Sequence, residues 1–470
     1  MNTQTINFFK IGAACFTATL LLSISSQAAK SVTYFKVTWN FSEDRKTGVF
    51  VNGEPWVVGP VSLVSVTPNN NATWDESWPG EPGPNSGSMR VTVPNSLQGY
   101  LTKSKVTPGW DNSKVYTRSL DLSRSENLPV TLEAGEMLMS AVGQEEKGEV
   151  RSCINEICVL TVVAEVPPEG SFRPDLFSTT PRVIKYNKSD INFAVLKNFA
   201  KVPATPSQAD IEARLPSLPW FEFDNTWLQS SFGPHNNFAT DGTIRYPNPA
   251  SGYGREIASK WGYIALWLNV SNTQKVKEKS MIQTIQCGLD IASFVRHGGI
   301  FYSDGGHKVG RKFPMLLAGL ALNDSEILAM AADMVNPRFS EDQSTFFVQQ
   351  SDVGRTVDRG LDAQYTQADV GMAEWGIKHF GYPLADDRRW PEEGGPYYRD
   401  VTWPAMCGSV LAMELMEQQA AWNHPAIFAY NERYGKKRGI GSGLEGQMWQ
   451  RYRKNPDGSP SAPNGLRIKR

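Results

Sequence analysis

Histidine is scarce in this chain and unevenly placed: there are five, and none precedes residue 235. Cysteine is equally rare at five, and no Cys/His spacing resembles a zinc site. Beyond residue 24 no apolar run approaches the roughly 18 residues a membrane span requires. An excess of charge of either sign is missing too. Lys and Arg number 47 against 48 Asp and Glu, so the net charge of −1 excludes the basic footprint of a nucleic-acid binder. Gly 40 and Pro 30 describe an ordinary globular chain rather than a disordered one. What the chain does have is aromatic residues, 11% of the total with 14 Trp, which suit sugar stacking and core packing alike.

The first 29 residues read as a secretory signal: a polar start over 1–10, an apolar run over 11–24, and Ser-Ser-Gln-Ala-Ala before cleavage after Ala28 or Ala29. Cys15 lies within the apolar run, which argues against a lipid anchor. The expected product is exported, periplasmic or secreted, with no membrane span. Cys153 and Cys158 flank a short Ile-Asn-Glu-Ile stretch, and in an oxidising compartment they are expected to close a hairpin as a disulfide. Cys287 and Cys407 fall on expected helices and read as buried thiols.

Periodicity divides the remainder. Over 30–166 the pattern alternates, with strands expected near 31–41, 55–66, 130–132, 137–142 and 158–166, and a long Asn/Pro/Gly/Ser loop over 68–88 holding Trp74 and Trp78. This half is expected to be β-sandwich-like, either packing against its neighbour or binding ligand. A Pro-punctuated linker and irregular segment covers 167–220. From 221 to 434 the period becomes helical, with helices over 255–270, 275–297, 314–322, 325–335, 368–379 and 403–421. Stacked antiparallel pairs of this kind close into an (α/α) toroid. The fold expected is therefore α+β and multidomain, ending in a basic tail over 435–470.

The stretch 298–324 organises the helical half. Two Gly pairs loosen a loop carrying Tyr302, Asp304, His307, Lys308, Arg311 and Lys312, and a strongly apolar helix follows. Solvated charges at a helix entry would explain one such loop. Similar company surrounds His235 with Asn236 and Asn237, Tyr253 with Arg255 at the first long helix, Trp375 before His379, and His424 before Arg433. A lone histidine is more often structural than catalytic, but these all stand beside Tyr, Asn or Arg at helix ends.

The runs Gly-Gly-His-x-x-Gly-Arg-Lys-x-Pro, Glu-Trp-Gly-Ile-x-His and Trp-Asn-His-x-Ala-x-Phe-x-Tyr-x-x-Arg resemble exported bacterial proteins that look like carbohydrate-active enzymes. Their arrangement over 230–434 is similar to (α/α)-toroid polysaccharide lyases of the alginate and glucuronan lyase type. The resemblance implies β-elimination on a uronate-containing polysaccharide, with an acidic polymer as partner and no cofactor or resident metal. His307, Tyr253, His235 and Arg311 are the candidate catalytic residues. Asn236, Asn237, Arg255, Lys312, Tyr302, Trp375 and His424 are the candidate substrate contacts. A glycoside hydrolase of similar shape would need two facing carboxylates from Asp241, Asp304, Asp369 and Glu374. A non-catalytic glycan-binding protein would rely on the Trp-rich loops instead.

Overall fold

The computed structural model describes residues 27–35, 37–67, 125–144, 153–176, 182–213, 215, 254–301, 303, 306, 308–354, 365–376, 390, 393 and 398–453. The architecture is mixed α+β: a curled, half-barrel-like sheet followed by a helical region. No described helix is long and apolar enough to cross a membrane.

Seven strands form the sheet: β1 (Gln27–Tyr34), β2 (Val37–Val49), β3 (Pro55–Val58), β4 (Val61–Thr67), β5 (Val130–Leu132), β6 (Met137–Gln144) and β7 (Cys153–Val163). Their order is β5-β4-β2-β3-β7-β6, with β1 pairing alongside β2. The alternation that marked residues 31–41 becomes a burial pattern in β2, where Val37, Trp39 and Phe41 point inward. They meet Val57, Leu63, Leu138, Leu160 and Val162 in one apolar cluster. Trp39 keeps its indole N–H satisfied by donating to Ser140 Oγ at 3.0 Å, so the buried polar atom is not orphaned.

The expected Cys153–Cys158 disulfide is not found. The two residues lie five apart on one strand rather than across a hairpin tip, and β7 pairs with β6 from Gln144 opposite Cys153 to Met137 opposite Thr161. Extended chain separates them by roughly 16 Å, far beyond disulfide reach. Cys158 is a buried thiol, in no disulfide among the described residues, and donates to the Tyr34 carbonyl oxygen at 3.3 Å. The short polar run between the two cysteines is a strand segment with a bulge at Asn155, opposite the step from Val142 to Gly143 on β6.

Ten α-helices are present among the described residues. The first is α1 (Gln208–Glu212), followed by α2 (Gly254–Leu268), α3 (Gln274–Arg296), α4 (Lys312–Ala321), α5 (Ser325–Ala331) and α6 (Ser340–Ser344). Then come α7 (Tyr398–Leu415), α8 (Gln419–Trp422), α9 (Pro425–Arg438) and α10 (Leu444–Tyr452). The apolar faces read from the sequence are the buried faces: Ile257, Trp261, Ile264, Ala265 and Leu268 on α2, and Ile282, Ile285, Leu289, Ala292 and Val295 on α3. Where α2 crosses α7 the backbones touch. A Cβ added to Gly262 would stand 3.0 Å from Gly408 Cα, so both positions must be glycine for the helices to approach.

Two segments depart from expectation. Over the described residues 368–376 the expected helix does not form. A 3-10 turn over Gln367–Asp369 gives way to β9 (Ala373–Trp375), which pairs with β8 (Thr345–Phe347). Gly371, at φ 86°, makes the turn between them that a continuous helix would forbid. The basic stretch after Tyr434 continues through α9 and then α10, whose Leu444 and Met448 are buried, so it is packed as far as Arg453.

The sheet packs on the helical region through its Met137 and Val159, which share a core cluster with α2, α3 and α4. Beside that contact lies a buried ionic clamp. Arg173, in the Pro-rich segment after β7, donates to Glu54 from the β2–β3 turn and, at 2.5 Å, to Asp290 on α3. Gln286 of α3 accepts from the Arg173 backbone N–H at 3.0 Å, and Gln283 donates to the Asn52 carbonyl oxygen at 2.6 Å. Three chain segments are thereby fixed at one point, and burial with the nearby Glu54 charge pushes Asp290 up to about 7 despite Arg173 opposing it.

Candidate functional site

The loop between α3 and α4 leaves α3 at His297, turns at Gly298 (φ 90°) and re-enters helical conformation at Arg311. Its second turn is made at Gly310, φ 87°, where a Cβ would lie 2.5 Å from Ala258 Cα. The loop therefore presses its backbone onto α2, which no side chain at that position would allow.

What holds the loop is a polar stretch the sequence reading passed over. Residues 340–345, Ser-Glu-Asp-Gln-Ser-Thr, look solvated, yet five of the six are buried. Glu341 turns one carboxylate oxygen into the entry of α4, where it accepts the backbone N–H groups of Gly310 (2.9 Å), Arg311 (3.0 Å) and Lys312 (3.1 Å). A carboxylate against a helix N-terminus satisfies donors that have no partner within the helix. Its other oxygen, Oε2, has no hydrogen-bond partner among the described residues, and burial raises the Glu341 pKa. Gln343 accepts the Ser303 N–H at 3.1 Å and donates to the Phe301 carbonyl, while Ser344 Oγ lies 2.7 Å from Ser303 Oγ. The preceding Phe339, buried in the core, was the available signal, because it anchors the start of the polar run against the core.

The candidate cations sit on this floor rather than in an open cleft. Arg311 is 2% exposed, and its Nη1 donates to the Val309 carbonyl at 2.6 Å. Lys312 is fully buried; its ammonium donates to Asp342 at 2.6 Å and to the Trp422 carbonyl at 2.8 Å. It lies 5.3 Å from the Trp422 ring centroid. Asp342 accepts a second bond from Trp422 Nε1 at 2.9 Å. Burial lowers the Lys312 pKa and Asp342 opposes the shift.

His424 joins the same cluster from the start of α9. Its Nε2 donates to the Thr345 carbonyl at 2.9 Å, which makes Nε2 the protonated nitrogen, and burial lowers its pKa. Trp375 is buried on β9 opposite Thr345. Arg255 lies half-buried in the first turn of α2. The structure thus gathers Arg311, Lys312 and His424 around residues 339–345, with Trp375 one strand away. His235, Asn236, Asn237, Tyr253, Tyr302 and His307 lie outside the described residues, as do Asp241 and Asp304.

Two of the candidate carboxylates are described, and both are engaged. Asp369 accepts from the Thr366 N–H and hydroxyl, each at 2.7 Å, closing a turn. Glu374 is fully buried and shared by Arg399 and by Arg433, the latter at 2.9 Å. No cluster of three or more His, Cys, Asp or Glu side chains able to hold a metal ion occurs among the described residues. Comparison with protein-family models, curated proteins and solved structures gives no match for this chain.

Proposed function

We propose that this protein is a polysaccharide lyase that cleaves a uronate-containing chain by β-elimination, with its helical region arranged as an (α/α) toroid and its sheet region as a sandwich-like partner. The observation that carries the reading is the rigid, charged floor beneath residues 298–312. A loop that must hold a proton-transfer group against a sugar needs its backbone fixed, and Glu341 with Gln343 fixes it at both ends.

In this reading His307 or Tyr253 takes the proton on the carbon α to the uronate carboxylate. The electron pair moves into an enolate-like carboxylate, then forms the carbon–carbon double bond as the glycosidic oxygen departs with a proton from the paired acid. Asn236, Asn237 and Arg255 neutralise the developing charge. Arg311 and Lys312, being buried and partnered, act from below: they hold the loop in place. Engagement of Asp369 and Glu374 in structural bonds leaves Asp241 and Asp304 as the carboxylate pair the competing hydrolase reading would need.

A panel of acidic and neutral polysaccharides, read for unsaturated-product absorbance and for reducing ends, tests it. His307→Ala is expected to lower turnover by about 10²–10⁴-fold, the usual worth of a general acid or base. New reducing ends without a double bond would replace elimination with hydrolysis.

A further inference from the structure

Asn423 and His424 join α8 to α9, and each is tied down through its donor group. Asn423 is exposed and sits at φ 56°, in the left-handed region that asparagine tolerates better than most residues. Its Nδ2 donates to the carbonyl of Ala332, at the end of α5, at 2.8 Å. A carbonyl can only accept, so the amide nitrogen faces Ala332 and Oδ1 faces away from it. Among the described residues Oδ1 has no partner.

His424 is held in the same sense. Its Nε2 lies 2.9 Å from the Thr345 carbonyl oxygen and 2.8 Å from Thr345 Oγ1. That hydroxyl donates its own proton to the Glu341 carbonyl at 2.8 Å, so both Thr345 oxygens accept from Nε2–H. The neutral ring then carries its lone pair on Nδ1. Burial favours the neutral ring; the Asp342 carboxylate opposes it and the Lys312 ammonium supports it. The residue is half-buried, yet Nδ1, which has no partner among the described residues, is not sealed from solvent. Phe347 shares the face of β8 that Thr345 turns toward His424, and Phe428 stands one turn along α9. Both rings are half-buried, so aromatic carbon adjoins the two acceptors.

A carboxylate brings only lone pairs and would meet only lone pairs here. A sugar ring brings the complement: hydroxyl hydrogens along its edge and apolar C–H groups on its faces. We infer that Asn423 and His424 form a subsite for the hydroxyl edge of a sugar residue, read through Oδ1 and Nδ1. The inference takes from the reading above only that the ligand is a saccharide, and it is independent of the elimination step. It gives His424 a hydroxyl as its contact and leaves the uronate carboxylate to residues that can donate.

The test is nitrogen NMR of the full chain labelled at histidine. Free protein should show His424 protonated at Nε2. A short oligoguluronate, or a cello-oligosaccharide of matched length, is expected to shift the Nδ1 resonance, whereas O-acetylated oligoguluronate and putrescine leave it in place. Asn423→Gly keeps the left-handed backbone and should weaken sugar binding about tenfold, the worth of one hydrogen bond, without changing the tautomer. Four results overturn the inference: a proton on Nδ1 in the free protein, a resonance unmoved by both unmodified sugars, an equal response to the acetylated chain or to putrescine, and unchanged affinity in Asn423→Gly. Product formation is read separately. A shifted Nδ1 in a protein that makes no unsaturated product upholds the subsite and sinks the lyase. Unsaturated product with an unmoved Nδ1 overturns the subsite alone.

Discussion

Lys312 and Asp342 meet at 2.6 Å with side chains 0% and 1% exposed, so each is the other's principal counter-charge in a place water does not reach. Such a pair is weak as a source of net stability, because its attraction is offset by the cost of desolvating both ions. It is strong as a constraint, because neither member tolerates losing the other. It ties the first residue of α4 to α6 and, through Trp422, to α8.

Removing one partner should therefore cost far more than removing both. Lys312→Met and Asp342→Asn are each expected to destabilise by about 3–5 kcal/mol, the usual penalty for an uncompensated buried charge. The double variant should recover a large part of that loss. Urea unfolding of all four proteins, analysed as a double-mutant cycle, measures the coupling. Additive losses would show that the pair acts as two independent groups.

Gly310→Ala should disturb the loop without touching any charge. The backbone sits at φ 87° and the added methyl would meet Ala258. Positive φ costs about 1–2 kcal/mol for an alanine, and the overlap adds about 1–3 kcal/mol. We expect a fall of roughly 2–5 kcal/mol in unfolding free energy, together with loss of turnover against the acidic polymer at temperatures where the variant remains folded. Midpoint and activity unchanged from the parent protein would mean the loop is not pressed against α2 in solution.

The clamp of Glu54, Arg173 and Asp290 gives a pH dependence with a definite sign. Asp290 has its folded pKa raised from the ordinary carboxylate value of 3.8 to about 7. Between those values the folded chain holds a proton that the unfolded chain releases. Stability should therefore fall as pH rises through that window, by at most about 1.4 kcal/mol per pH unit, and level off above it. Asp290→Asn should flatten this part of the profile. Urea midpoints at successive pH values, in both proteins, check it; parallel profiles would place the titration elsewhere.

Much of this architecture is legible in the sequence, and the failures have physical causes. Alternation in residues 37–41 and 61–66 marks strands because one face of each is buried while the other is more open. The stripe on α2 is equally plain. The segment 340–345 misleads because charged residues ordinarily signal solvent, whereas here they are buried against backbone N–H groups and Lys312. Residues 368–376 mislead because Ala, Met and Glu favour helices in isolation, and only pairing with residues 345–347 makes Ala373–Trp375 a strand. Arg311 and Lys312 are legible as important but not as buried, since their counter-charges lie some thirty positions away.

The crossing of α2 and α7 at Gly262 and Gly408 has a consequence for how this chain can vary. In most cores an oversized substitution can be rescued by a smaller residue opposite. Here the opposing residue is already the smallest there is, so no compensating exchange exists on either side. A side chain gained at one position must be answered by separating the helices, which displaces Trp261, Trp403 and every layer built upon them. Variation should be tolerated along the flanks of both helices and refused at this one crossing.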